Sequence, residues 1–496
     1  MNNPNACNKW TKPKKFDCNI AVIGAGAGGL VASYIAAAVK AKVVLIEKHQ
    51  MGGDCLNTGC VPSKALIQTT RLLAKTRRSH EFGIRDIASA YDFGDIMARV
   101  QRIVKTIAPH DSIERYTQLG VDVIQGNAKL ISPWDIEITT PSGGTQHISS
   151  ASVIIAAGAR PFVPAIPGLE NIGYLTSDNV WDLREQPKRL LVLGGGPIGC
   201  ELAQCFVRLG VQVTLVEMAP RLLIREDIEI SEQVAAKFCQ EGIDLRLGHT
   251  AQQIITTNGK KILVAEHHGK TTDIAFDQLL LAIGRTANTE GYGLENIGVT
   301  LSARKTIQVD GFLATNFSHI FACGDVAGPY QFTHTAAHQA WYATVNALFG
   351  NLWKLKADYS IIPWATFTEP EVARVGLNEQ EAKQQGIAYE INRYDFADLD
   401  RAIADNTTEG FVKVLTRPGK DKILGVTIVG EHAGDLIAEF VLAMKYNIGL
   451  NKILGTLHIY PTLAEANKYV AGVWKKKHAP NHLLALLERY HRWRRG

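Results

Sequence analysis

The chain has 496 residues, 46% of them apolar and 20% charged, which is ordinary globular composition and excludes a disordered or fibrous class. Its length points to about three domains of ~150 residues each. The formal net charge of +5 is concentrated at the ends, because residues 1–15 hold four lysines and no acid and residues 470–496 hold seven basic residues against Glu488. The body is therefore mildly acidic, and the ends are read as solvated arms rather than as a contact with an anionic membrane or a partner; no nucleic-acid partner is expected.

The first sixteen residues are polar and lysine-rich, so no secretory signal is expected and a cytoplasmic location is the default. An uncharged stretch from Cys18 to Val39 is long enough to span a bilayer, but glycines at 24, 26, 28 and 29 divide it and argue against a membrane helix. Cys18 to Gly24 reads instead as a buried strand, followed by a helix from about Leu30 to Lys40 and a second strand over Lys42 to Glu47. The turn carries Gly24-x-Gly26-x-x-Gly29. The pattern returns later: a strand over Leu190 to Leu193, a turn at Gly194, Gly196 and Gly199, a helix over Glu201 to Leu209, and a strand over Gln212 to Glu217. First glycine and terminal acid are 23 residues apart in both copies. One such motif is weak, but two in register are strong, since each part has a job. The glycines allow the tight turn, the approach of a pyrophosphate and helix-on-strand packing, the helix N-terminus faces the negative charge, and the acid takes ribose hydroxyls.

Between Glu47 and the second turn lies Gly52-Gly53-Asp54-Cys55-Leu56-Asn57-Thr58-Gly59-Cys60-Val61-Pro62-Ser63-Lys64. The glycines and proline describe a distorted helix start at which sulfurs five residues apart could meet, and a helix N-terminus lowers a thiol pKa. Cys200 and Cys205 share the spacing but sit in a predicted regular helix, where their side chains point apart. They read as buried structural thiols, as does Cys323. The eight cysteines together fit reduced thiols better than a disulfide framework. Val153 to Gly158 and Leu279 to Gly284 are apolar strands ending in glycine, read as crossings between two nucleotide domains. Beyond Pro363 the pattern becomes α+β, with strands over Phe411 to Leu415 and Ile423 to Val429 and a helix near Asp435 to Tyr446. A last helix begins at Pro480-Asn481 with Leu483, Leu486, Leu487, Tyr490 and Trp493 on one face. It is expected to dock on its own protein rather than on a membrane.

Taken together, these residues resemble the pyridine nucleotide-disulfide oxidoreductases, the family of dihydrolipoamide dehydrogenase, glutathione reductase and mercuric reductase, from about residue 17 to 476. Ala282-Ile-Gly284-Arg285 and Phe321-Ala-Cys-Gly-Asp325 add to the match. The resemblance implies an α/β fold with two Rossmann-like dinucleotide-binding domains and a C-terminal α+β dimerisation domain. The implied boundaries are 17–160 with 288–356 for FAD, 161–287 for NAD(P)H, 357–476 for dimerisation, and 477–496 as a basic amphipathic tail. Glu47 would hold the FAD adenosine ribose, Asp325 the ribityl chain, and Gly126-Asn-Ala128 the adenine side, with Gly158 and Gly284 also lining cofactor. Cys60 would face the flavin as thiolate, Cys55 would exchange with substrate, and Lys64 with Glu201 would form an ion pair beside the ring. At the second turn, Glu217 would oppose a 2′-phosphate by roughly 4 kcal/mol at ~4 Å and an effective dielectric of ~20. NADH is therefore expected over NADPH, although Arg221 could soften the preference.

One departure is informative. The family's disulfide reductases carry His-Pro-Thr-x-x-Glu, whose histidine is the acid/base for thiol exchange and reaches the partner subunit's cysteines. Here the segment reads Tyr460-Pro461-Thr462-Leu463-Ala464-Glu465. A phenol of pKa ~10 is a poor base at neutral pH, so efficient lipoamide or glutathione turnover is not expected unless His458 substitutes from the same face of an extended segment. Asp54, Pro109-His-Asp-Ser112, Pro363-Trp364 and Leu399-Asp-Arg-Ala402 resemble the mercuric-reductase-like branch, yet the C-terminal cysteine pair of a true mercuric reductase is missing. The expectation is an NADH-dependent FAD enzyme, a homodimer, reducing a metal ion, quinone or unusual thiol. The alternatives are dihydrolipoamide dehydrogenase and a nucleotide-binding redox sensor acting through its basic tail.

Overall fold

The computed structural model describes residues 10–85 and 87–496, which form two compact units. The first contains the chain up to Arg77, Ile87–Met218 and His249–Asp358. Its main sheet has the order Val121–Gln125, Val43–Glu47, Cys18–Ile23, Thr145–Ile155, all parallel, with Ile320–Ala322 also parallel to Thr145–Ile155. Ile20, Ala21 and Val22 have no exposed surface, the continuous apolar run expected of a parallel strand covered on both faces. Thr145–Ile155 changes character along its length. Its first half pairs antiparallel with Asp135–Thr139 and is exposed, whereas its last four residues are buried beside Cys18–Ile23.

The helix Ala27–Ala38 connects the first two parallel strands. It begins three residues before the predicted start, because Gly28 and Gly29 lie inside it although glycine is a poor helix former. The second turn repeats the arrangement: Gln212–Glu217, Arg189–Leu193 and Gln278–Leu281 run parallel, and the helix Pro197–Arg208 joins the first pair in sequence. A three-stranded antiparallel sheet, Thr250–Thr257, Lys260–His267 and Lys270–Phe276, adds Leu263, Ala265 and Phe276 to the same apolar core. Directly after Gly158 and Gly284, Ala159–Pro161 pairs antiparallel with Arg285–Ala287.

The second unit contains Ala219–Gly248 and Tyr359–Gly496. Its sheet is antiparallel throughout, in the order Pro363–Thr366, Glu371–Gly376, Ile423–Gly430, Phe411–Thr416, Glu390–Asp395. The helices Ala433–Lys445 and Glu465–Lys477 cover it through Ile437, Phe440, Val470 and Trp474. The final helix, Asn481–Arg495, corrects the expectation that it docks on its own chain, for it has no buried residue. Pro480 holds Ala479 away from helical backbone and breaks the path from the preceding helix, and the arginines leave the new one only a narrow apolar stripe. Among the described residues no helix is long and apolar enough to cross a membrane.

Candidate redox-active site

The two glycine turns are built alike. Gly24 and Gly194 have φ of +100° and +110°, and a Cβ there would lie 2.5 and 2.4 Å from the carbonyl oxygens of Ala156 and Ala282. Gly26 and Gly196 then cap their helices without a side-chain cap hydrogen bond. Gly29 and Gly199 close the turns, since a Cβ on either would overlap the carbonyl oxygen of Gly24 or Gly194. Glu47, almost fully buried, accepts the N–H of Ala25 at 2.6 Å and of His49 at 2.7 Å, and Glu217 accepts that of Gly195 at 2.5 Å. Each turn thus presents a helix start without a side-chain cap and a carboxylate fixed beside the first glycine, and the second leaves room where a side chain would stand at Gly196. These residues fit the pyrophosphate and ribose of a dinucleotide. Gly158 and Gly284 also have open space on the Cβ side, whereas Ala128 is packed in the first core with Ile46 and Val44.

The cysteine segment rests directly on the first turn. The Gly52 N–H donates to the Ala25 carbonyl at 2.9 Å, and a Cβ on Gly53 would lie 2.6 Å from the Gly26 Cα. A short helix Gly53–Asn57 carries Cys55, and Cys60 opens the helix Cys60–Arg77. The connection between them is anchored by the Asn57 amide, which donates to the carbonyls of Met51 and Gly53 at 2.9 Å, and by the Trp181 indole, which donates to the Thr58 carbonyl at 2.8 Å. Both cysteines are free thiols, close enough for each to shift the proton affinity of the other. Thr333, the first residue of the helix Thr333–Phe349, brings its hydroxyl to 3.4 Å from the Cys60 sulfur. Two helix N-termini therefore meet at Cys60, and their partial positive charge favours a thiolate.

Proton affinities divide the pair. The hydrogen bond from Cys55 is the largest influence lowering Cys60, to about 6, with Thr333 and the Lys64 ammonium assisting against burial. Cys55 moves well up for the converse reason, since its proton is held against the Cys60 sulfur and burial adds to the effect. Lys64 lies one helical turn beyond Cys60 and its Nζ contacts Glu201 at 2.9 Å. Nearby, the Arg285 guanidinium pairs with Asp54 and approaches Asp325 at 3.6 Å. Burial raises Asp325 to about 6 although Arg285 opposes the shift. By contrast Cys200, Cys205 and Cys323 are fully buried with thiols pushed up, which makes them inert.

The second unit separates Tyr460 from His458. Tyr460 is 65% exposed and donates to Asp400 at 3.0 Å, which raises its already high pKa. The His458 side chain is only 7% exposed; its Nε2 meets the Glu439 carboxylate at 3.1 Å and its Nδ1 meets the Thr456 carbonyl at 3.0 Å. With both ring nitrogens facing acceptors, neither offers a lone pair outward. Residues 457–463 are irregular rather than extended strand, so the condition under which His458 would share a face with Tyr460 is not met. Glu465 is buried and accepts the Tyr469 hydroxyl at 3.2 Å. Elsewhere in this unit the carboxylates of Asp227, Glu229 and Glu379 lie within 4.8 Å of one another, a spacing that would suit a cation. The Lys413 ammonium already occupies it, at 2.7 Å from Asp227 and 3.0 Å from Glu379 and in direct contact with Glu229. The sequence motifs do not point to Thr333 or Glu439, and Asp400 stands in the Leu399-Asp-Arg-Ala402 match without an assigned role; each meets its partner across a long sequence separation.

Comparison with known proteins agrees with this geometry. The family model described as pyridine nucleotide-disulphide oxidoreductase matches residues 18–340, and the model of its dimerisation domain matches residues 362–471. The dihydrolipoyl dehydrogenase of Chlamydia muridarum is 36% identical over 91% of this chain and 95% of its own. A mercuric reductase of Staphylococcus aureus is 33% identical over 93% of this chain and 83% of its own. Among solved structures, the HOCl-induced flavoprotein disulfide reductase RclA from Escherichia coli superposes with a TM-score of 0.82 at 26% identity, covering 92% of this chain and 99% of that one.

Proposed function

Because the chain belongs to the pyridine nucleotide-disulphide oxidoreductase family, which binds FAD and NAD(P)H, we propose that it oxidises NADH and delivers the electron pair to Cys55 and Cys60. Bound FAD would supply the two-electron chemistry between nicotinamide and sulfur. The observation that carries this reading is the Cys60 sulfur, held between two helix N-termini and Thr333 on a segment seated against the first glycine turn. The first turn with Glu47 would hold FAD, with Asp325 on its ribityl chain, and the second turn with Glu217 would hold NADH. Lys64, fixed by Glu201, adds positive charge beside Cys60. The Cys55 sulfur would attack a substrate disulfide and release one thiol, and Cys60 would then displace the second by re-forming the pair. Two electrons and two protons reach the substrate for each NADH and proton consumed. The dimerisation domain supports a homodimer, in which Tyr460 and Glu465 would approach the partner's thiols.

The relatives favour a disulfide of the lipoamide kind as exchange partner over the soft-metal or quinone acceptor expected from the sequence, since dihydrolipoyl dehydrogenases are prominent among them. A second reading keeps the metal or quinone acceptor, on the observation that Tyr460 replaces the histidine while His458 is committed to Glu439. NADH consumption measured with lipoamide, with soft-metal ions and with quinones separates the two. Cys60→Ser tests both together, for undiminished turnover of every acceptor would remove the thiol pair from the reaction.

A further inference from the structure

We propose that the segment from Lys475 to Arg495 is a peripheral anchor that lays this enzyme on an anionic lipid surface. Asn481–Arg495 is a regular helix with every residue exposed. At roughly 100° per residue, Leu483, Leu486, Leu487, Tyr490 and Trp493 fall within an arc of about 120°. Arg492 and Arg495 lie on the opposite side, Arg489, His482 and His491 flank the arc, and Lys475, Lys476 and Lys477 precede the helix. Arg494 alone intrudes on the apolar arc, at the last turn, where its long stem can carry the guanidinium to a headgroup.

A leucine stripe ending in tyrosine and tryptophan, opposed by arginines, is the pattern of a helix lying in the plane of a membrane interface. The stripe is open to solvent, with Leu486 61% and Trp493 75% exposed. Three lysines and four arginines against the single acid Glu488 select an anionic surface over a neutral one. A second copy of the chain has other ground to cover. The matched dimerisation domain ends at residue 471, before this helix, and has its own exposed apolar side chains at Leu442, Tyr446, Leu457 and Ile459. Electron delivery to an acceptor dissolved in the bilayer would gain from such placement, but the anchor rests on the tail alone.

The test is co-sedimentation of the full-length, FAD-loaded protein with phosphatidylcholine vesicles, with and without phosphatidylglycerol. The anionic vesicles should bind it at least tenfold more tightly, and loss of each arginine should weaken binding about fivefold. High salt should release it. Leu486→Glu with Leu487→Glu, and separately truncation after Lys477, should abolish binding while NADH oxidation by a soluble acceptor and the dimer mass stay unchanged. Equal binding to neutral vesicles, binding that survives the leucine substitutions, or conversion of the truncated protein to monomer would overturn the proposal. The last result would assign the helix to the subunit interface instead.

Discussion

Restoring a histidine at position 460 tests the proton chemistry most directly. A phenol of pKa ~10 is ionised to about one part in a thousand at pH 7, and the hydrogen bond to Asp400 lowers that fraction further. An imidazole of pKa ~6.5 is mostly neutral at pH 7 and can accept a proton from a thiol such as Cys55, whose affinity for its proton is raised. A positioned base contributes about 10²- to 10⁴-fold. The Asp400 carboxylate already holds the Tyr460 hydroxyl, and Glu465 also acts on it electrostatically, so an imidazole there would find acidic partners to orient it. Tyr460→Phe should therefore leave wild-type lipoamide turnover almost unchanged, whereas Tyr460→His should raise kcat at least about 100-fold. NADH oxidation by ferricyanide, which needs no proton from this segment, should not respond. The assay is steady-state NADH consumption with lipoamide. Rapid wild-type turnover that Tyr460→His leaves unchanged would refute the reasoning. If Glu439→Gln then slowed that turnover, the His458–Glu439 pair would be the proton carrier.

Further outcomes follow from the same geometry. Alkylation of Cys60 by iodoacetamide in the reduced protein should switch on as pH rises through about 6, because its lowered pKa keeps the thiolate above that point and protonates it below. Thr333→Val removes a hydrogen bond to charged sulfur, worth about 1.5–3 kcal/mol, so the midpoint should rise by about 1–2 pH units, with Thr333→Ser restoring it. Glu217→Ser should improve kcat/KM for NADPH by tenfold or more relative to NADH; the Arg221 guanidinium is committed to the Glu226 and Ile224 carbonyls, Ser231 and Gln380, and an unchanged ratio would show that Glu217 does not face the 2′ position. Lys413→Ala leaves three clustered carboxylates without their ammonium and should cost about 3–5 kcal/mol in denaturant unfolding, whereas chelators should leave the wild-type curve in place.

How much of this was legible in the sequence depends on how local each constraint is. The glycine turns could be read because nearly every position answers to backbone within the same unit. Gly29 must clear the Gly24 carbonyl, and the acid at the end of the next strand takes the N–H after the first glycine. The cysteine pair was legible for the same reason. The sequence left His458 and Tyr460 open as alternatives, because a period of two holds only in a strand, and the irregular segment buries the side chain of one and exposes the other.

Thr333 shows what lay beyond reach, for it meets a cysteine 273 positions earlier. The route is physical and runs through a small residue already singled out for another reason. A Cβ on Gly28 would stand 3.2 Å from the Cys323 sulfur and 3.6 Å from the Ala336 carbonyl, so the absence of a side chain there lets the helix Thr333–Phe349 lie close against Ala27–Ala38. That approach places the start of the later helix at Cys60. The first glycine turn thus has two consequences, one for the dinucleotide and one for the thiolate. Gly28→Val should accordingly disturb the Cys60 midpoint as well as FAD retention, and a variant that lost FAD with the alkylation profile unmoved would separate the two roles.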